Sequence, residues 1–174
     1  MLLAHVGSVA GVERLGIPTS NMQDATQGFR TLWSNIVGQV TAFPSALAAG
    51  ATWDPTMVYE YAVAVGAEFR AKGANVILGP SVNVHRVARN GRNGEYISGE
   101  DGALGAPLAA AYVRGVQSQG VACVVKHFVL NQQETNRNSA SSNTTDRVLW
   151  EVCYVPAVHT ARYPQPRARP RETL

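Results

Sequence analysis

Cysteine is scarce in this 174-residue chain. Cys123 and Cys153 are too few for a disulfide framework and are not spaced like a zinc ligand set. Cys123, inside an apolar run, reads as a small buried hydrophobe. No apolar stretch approaches the roughly 20 residues that a membrane-spanning helix requires, so no membrane partner is expected. The start, Met-Leu-Leu-Ala-His-Val, has no basic leader, and its apolar run is too short for a signal peptide, which leaves the compartment open. Charged residues make up 16% of the chain, and the formal net charge is +3. Arg162, Arg167, Arg169 and Arg171 against Glu172 carry that whole excess. The rest of the chain is neutral, so no basic face for nucleic acid is implied. His5, His85 and His159 have no ligand-like spacing, which argues against a metal, and no glycine-rich phosphate cradle precedes a helix. No cofactor is expected.

What is present fits one globular domain, with 45% hydrophobic residues. Asp54-Pro55 opens the clearest helix, with Val58, Tyr61, Ala62, Val65 and Phe69 on one face and Gly73 at its end. Ala74 to Leu78 reads as a buried strand ended by Gly79-Pro80. A second helix is predicted from about Ala103 to Gln119, and a second buried strand from Val121 to Val125. A third helix is predicted over Thr145 to Tyr154, capped by Asn143 or Thr144. The segment from Ile17 to Gln23 reads as a further strand, preceding Asp24. This alternation predicts an α/β fold with a parallel sheet and right-handed crossovers. From Tyr163 onward, Pro164, Pro166 and Pro170 interrupt all periodicity, and a disordered basic C-terminal tail is expected.

Polar groups stand where the predicted strands end. Asp24 follows the first strand. Arg92 and Glu95 lie in the long connection from Gly79 to Gly102, a length that favours a functional loop. Lys126 and His127 end the last strand, and Asn131, Gln133, Glu134 and Arg137 follow. In parallel α/β folds these ends form the ligand-binding mouth. A carboxylate, a guanidinium, an ammonium and an imidazole at one mouth suit a ligand dense in hydroxyls, such as a sugar. A phosphate suits it less well, because Asp24 would repel it. Each group also has a plainer reading: Arg92 and Glu95 as a loop-stabilising ion pair, Lys126-His127 as solvated or core-satisfied, and Asp24 as a turn residue.

At these residues the chain resembles glycoside hydrolase family 3, in particular the fungal-type β-glucosidases. Gly16-Ile-Pro with Gln23-Asp24 and Gly28-Phe-Arg30 is similar to one family segment. Phe43-Pro44 with Ala51-Thr-Trp-Asp54 is similar to another, as is the strand from Gly73 to Pro80. Gly91-Arg92-Asn93-x-Glu95, Lys126-His127-Phe128 and Asn131-x-Gln133-Glu134-x-x-Arg137 match further motifs, and Ser141-Ser142-Asn143 with Asp146-Arg147 continues them. The resemblance covers roughly Gly7 to Pro156. It implies part of a TIM-like (β/α) barrel, truncated, over residues 1–156, with residues 157–174 as a non-homologous Pro/Arg-rich tail.

The resemblance implies a parent enzyme that hydrolyses terminal non-reducing β-D-glucosyl residues. The implied partner is a small-molecule β-glucoside or oligosaccharide. Asp24, Arg92, Lys126 and His127 would hold the glucosyl unit in the −1 subsite, with Glu95 and Arg137 behind them. Secretion of the parent stays open. Some positions depart from the motif: Ala25-Thr26 stands where Gly-Pro is usual, and Gly102 replaces a proline. The family's nucleophile is the aspartate of a later Ser-Asp-Trp, which this sequence does not contain, and its acid/base residue comes from a later domain. Catalytic residues are therefore expected to be none. Three alternatives are a non-catalytic sugar-binding module, a nucleic-acid binder acting through the tail, and an N-acetylglucosamine-specific relative. The last would carry a histidine loop where Val129-Leu130-Asn131 stands.

Overall fold

The structure is a computed structural model that describes residues 4–5, 7–24, 26–30, 34 and 37–162. Two very short strands open it. β1 (Ala4–His5) and β2 (Ser8–Val9) pair antiparallel, and β2 pairs antiparallel with β3 (Ser20–Asp24). Beyond β3 the sheet is parallel, with β4 (Val76–Leu78) between β3 and β5 (Ala122–Cys123). The sheet is therefore mixed, in the order β1-β2-β3-β4-β5. The sequence predicted only its parallel part, because a two-residue strand has no periodicity to read.

β5 is shorter than the predicted strand, but the extended path continues. Val124 donates to the Ile77 carbonyl at 2.9 Å, and Lys126 donates to that of Pro80 at 3.0 Å. Lys126 in turn accepts from Val82 at 2.7 Å. Backbone pairing thus carries the chain as far as Lys126.

Helices cover the sheet. α1 (Ala46–Gly50) is capped by Ser45, whose hydroxyl accepts from Ala48 at 3.1 Å. α2 (Pro55–Ala71) starts where Asp54 caps it, accepting from Thr56 at 2.8 Å, with Pro55 in the first turn. It buries Val58, Ala62, Val65 and Phe69 as the spacing predicts. Gly73 follows its end with φ at +83°, which a side chain would strain. α3 (Gly102–Ser118) is capped by Asp101 and runs through Pro107.

α2 and α3 approach closely through two glycines. A Cβ on Gly115 would lie 2.5 Å from the Tyr59 carbonyl, and one on Gly66 would lie 3.0 Å from the Val116 Cα. Phe69, Ile77, Leu108, Tyr112, Val116 and Val121 fill the space between helices and sheet. Each such side chain contributes roughly 1.5–3 kcal/mol on burial.

The C-terminal segment corrects two expectations. The cap is Thr145, whose hydroxyl accepts from Val148, and neither Asn143 nor Thr144 serves. Nor does the helix stop near Tyr154. α4 (Asp146–Val148) passes through a π-helical stretch, Leu149–Cys153, into α5 (Tyr154–Arg162). Residues 157–162, the start of the segment outside the family resemblance, are helical, and Thr160 is buried there, donating to the Pro156 carbonyl at 2.6 Å. The remainder of the predicted tail, 163–174, lies outside the described residues.

Candidate functional site

Asp24 is the last residue of β3, and Lys126 ends the extended path beyond β5, so both emerge at the C-terminal end of the parallel strands. The Lys126 ammonium is hydrogen-bonded to Asp24 Oδ1. Arg30 approaches the other Asp24 oxygen at 3.4 Å. Burial works to raise the Asp24 carboxyl. The hydrogen bond and charge of Lys126, with Arg30 and His127, outweigh it and hold the group below its ordinary value. Asp24 is thus an anion with lone pairs to offer, while Lys126 is nearly covered.

The long connection supplies the rest. After Pro80 the chain runs extended, with Ser81 bridging to both Tyr96 and Lys126. Asn90 then shapes the turn: its side chain accepts from the Arg92 backbone at 2.7 Å and donates to Asn93 Oδ1 at 2.6 Å. Arg92 precedes the short 3-10 turn Asn93–Glu95, and Glu95 is its last residue. Arg92 is 9% exposed and donates from Nε to Glu95 at 2.7 Å. It also donates to His127 Nε2 at 2.8 Å and to Asn131 Oδ1 at 3.4 Å, with Glu134 at 3.5 Å. Burial pulls the guanidinium down, but Glu95 overrides it and raises Arg92 above its usual value. The Arg92–Glu95 pair is therefore both the loop-stabilising ion pair and part of the cluster. Glu95 also lies 3.7 Å from Lys126.

His127 is held at both ends. Asn83 clasps its backbone, accepting from its N–H at 2.7 Å and donating to its carbonyl at 3.1 Å. Tyr96 packs edge-on to the ring at 5.9 Å. Burial, then the charges of Arg92 and Lys126, push the imidazole down to about 4 against the pull of Glu95 and Asp24. The ring is neutral at physiological pH. Its Nδ1 is buried and has no partner among the described residues.

The second polar loop joins the first. Glu134 donates its backbone N–H to the Asn90 carbonyl at 2.9 Å, and its side chain reaches Arg137 at 3.5 Å. Gly91, with φ at +85°, passes so close that a Cβ there would sit 3.1 Å from the Glu134 Cβ. Gln133 is not brought in: its amide donates to the Thr135 carbonyl at 2.7 Å.

An open cleft of about 1020 Å³ lies over this cluster, lined by Asp24, Arg30, Arg92, Lys126, His127, Asn131 and Arg137 among others. A smaller cavity of about 510 Å³ lies between β5, α3 and α5, lined mainly by apolar residues such as Val113, Val125 and Val158. It shares Lys126 and His127 with the cleft but adds no further charged group. Asn83, Asn90, Tyr96 and Arg30 were not among the residues predicted for the site. The signal for Asn83 was its placement between Val82 and Val84, where a buried extended run leaves a polar side chain needing a partner.

The structure is thus a mixed α/β sheet with charged, mutually paired side chains at its parallel strand ends. The family follows from its relatives. The glycosyl hydrolase family 3 N-terminal domain matches residues 3–156, and the chain belongs to that family. It is 46% identical over 159 residues to a β-glucosidase of Rhizobium radiobacter, covering 91% of this chain and 19% of that one. It is 43% identical over 148 residues to a probable β-glucosidase I of Aspergillus fumigatus, covering 84% and 17%. Among solved structures, it is similar to β-glucosidase 3B of Thermotoga neapolitana in complex with glucose. That match has a TM-score of 0.81 and 35% identity, and covers 92% of this chain and 23% of the other. It is similar also to DesR, a β-glucosidase from Streptomyces venezuelae in complex with D-glucose, with a TM-score of 0.80 and 35% identity over 88% and 19%. The chain thus spans about a fifth of the length of these relatives.

Proposed function

We propose that this chain is the sugar-holding part of a β-glucosidase (β/α) barrel, binding the terminal non-reducing β-D-glucosyl residue of a small glucoside or oligosaccharide. Asp24 takes outer hydroxyls as an ionised acceptor. Lys126 and Arg92 donate, and the neutral His127 ring adds a directional polar group. Glu95 and Arg137 stand behind, Glu95 ordering both cations. The observation that carries the reading is the convergence of Asp24, Lys126, Arg92 and His127 on one cleft, in a chain whose relatives include β-glucosidases solved with glucose.

The reading stops short of bond cleavage. Retaining hydrolysis needs a nucleophilic carboxylate and a separate acid/base carboxyl. The Ser-Asp-Trp context of the family nucleophile is absent from this sequence. Asp24 does not stand in for the acid, because a carboxyl held below the ordinary aspartate range has no proton to deliver near neutral pH. The chain alone binds and positions, and turnover belongs to longer relatives.

The test is a glucose titration of the 174-residue chain by NMR, beside an assay with an aryl β-glucoside. Weak glucose binding that Lys126→Ala and Arg92→Ala both abolish, without turnover, is expected. Equal binding by all three chains would refute the assignment of these residues. Turnover that disappears in Lys126→Ala would show that a carboxylate here, Asp24 or Glu95 first, breaks the bond.

A further inference from the structure

Thr26 lies two residues beyond Asp24 and is 1% exposed. Its hydroxyl and that of Ser81 are 2.8 Å apart, and the Ser81 backbone N–H donates to the same Thr26 oxygen at 3.1 Å. Its carbonyl accepts from the Tyr112 hydroxyl at 2.7 Å and lies 3.3 Å from that of Tyr61, which also donates to the Pro44 carbonyl at 3.0 Å. The hydroxyl and the carbonyl of Thr26 are therefore engaged inside the core. A buried hydroxyl without a partner is costly, and here Ser81 supplies the partner while tyrosines of α2 and α3 engage the carbonyl.

The position of Ser81 gives the contact its meaning. Ser81 is fully buried and bridges to Lys126. On either side of it, Pro80 accepts from the Lys126 N–H and Val82 donates to the Lys126 carbonyl. Ser81 is thus registered against the residue that pairs with Asp24. The stretch carrying Asp24 and the strand carrying Lys126 take their positions from one shared point.

We propose that Thr26 is a positioning residue, whose hydroxyl contact with Ser81 sets where the Asp24 carboxylate stands relative to the Lys126 ammonium. A residue needed only to fill space would be served equally by valine, which has the same shape without the hydroxyl. The consequence for sugar binding rests on the function proposed above. The positioning itself does not.

The test compares the 174-residue chain with Thr26→Val, Thr26→Ser and Ser81→Ala. Two quantities are read: the titration of the Asp24 carboxyl by carbon NMR, and the glucose dissociation constant. In Thr26→Val and Ser81→Ala the Asp24 titration should move up towards that of an ordinary aspartate, and glucose should bind roughly tenfold more weakly. Thr26→Ser should keep both at wild-type values. An Asp24 titration unchanged in Thr26→Val and Ser81→Ala would overturn the proposal. So would failure of both to fold, since the hydroxyl pair would then hold the domain together and not the carboxylate in place. If the wild type binds no glucose while Thr26→Val still shifts Asp24, the positioning role stands and the sugar reading fails.

Discussion

Arg92 donates a hydrogen bond to Nε2 of His127 at 2.8 Å. A guanidinium has five donors and no acceptor, so Nε2 must present its lone pair and the ring proton must sit on Nδ1. One contact therefore settles both the charge and the tautomer of this histidine. The ring is neutral, and its N–H points away from Arg92.

That arrangement has a pH signature. The folded His127 titrates at about 4, against 6.5 for an ordinary histidine. Between these values the unfolded chain binds a proton that the folded chain refuses, so stability falls as pH drops from about 6.5 to about 4. Asp24 adds a second loss lower down. Its contribution is complete above 3.8 and disappears as pH falls through its depressed folded value. Urea midpoints measured from pH 7.5 to 4.5 should decline for the wild type and decline less in that window for His127→Gln, burial having also pushed His85 down. A wild-type curve that His127→Gln leaves unaltered would contradict the tautomer argument.

Arg92 should be more important to stability than an exposed arginine. It is nearly covered and meets Glu95, His127, Asn131 and Glu134 together. Removing Arg92 from this cluster leaves Glu95 with only the longer contact to Lys126, and Arg92→Ala should cost about 3 kcal/mol. Arg92→Lys should recover only part, since an ammonium cannot span carboxylate and imidazole with a planar fork. Thermal denaturation of the three chains checks this, and an Arg92→Lys midpoint equal to wild type would show that charge alone suffices.

Of Gly66 and Gly115, the two glycines at which α2 and α3 meet, Gly115 should be the less replaceable. An added Cβ would meet the Tyr59 carbonyl at 2.5 Å and the Ala62 Cβ at 2.7 Å, both on the facing helix. Gly115→Ala should destabilise by roughly 2 kcal/mol or more through overpacking. Gly94→Ala is the control, since nothing lies within 4 Å of the Cβ it would gain. Denaturant unfolding should separate the two variants, and equal midpoints would mean that α2 and α3 shift apart without cost.

The long helices were legible from spacing, and for α2 also from the Asp54-Pro55 cap; the Asp101 cap of α3 is a finding of the structure. The strand-end residues Asp24, Arg92, Lys126 and His127 could be placed at one mouth because βα alternation puts strand ends on one side. The hairpin β1–β2 could not be read, for two-residue strands are held by backbone pairing that leaves no side-chain pattern. Nor could the run of helix past Tyr154, where Thr160 returns a hydrogen bond to the Pro156 carbonyl. The linkage of the two polar loops through Asn90 and Glu134 joins residues 44 positions apart, and spacing within either loop does not reveal it. Thr26 stood out only as a departure from a motif. Its hydroxyl acquires a purpose once Ser81 is beside it.

The Asp24–Lys126 contact also has a geometric consequence. β3 and β5 are not neighbours, because β4 lies between them. Adjacent strands stand roughly 4.8 Å apart, so the pair crosses about twice that distance over the top of the middle strand. It acts as a cross-tie between the outer two of three parallel strands, drawing their ends together over β4. The width of the mouth is thus gauged by the reach of one lysine side chain, and a shorter cation at position 126 would preserve the charge but lose the span.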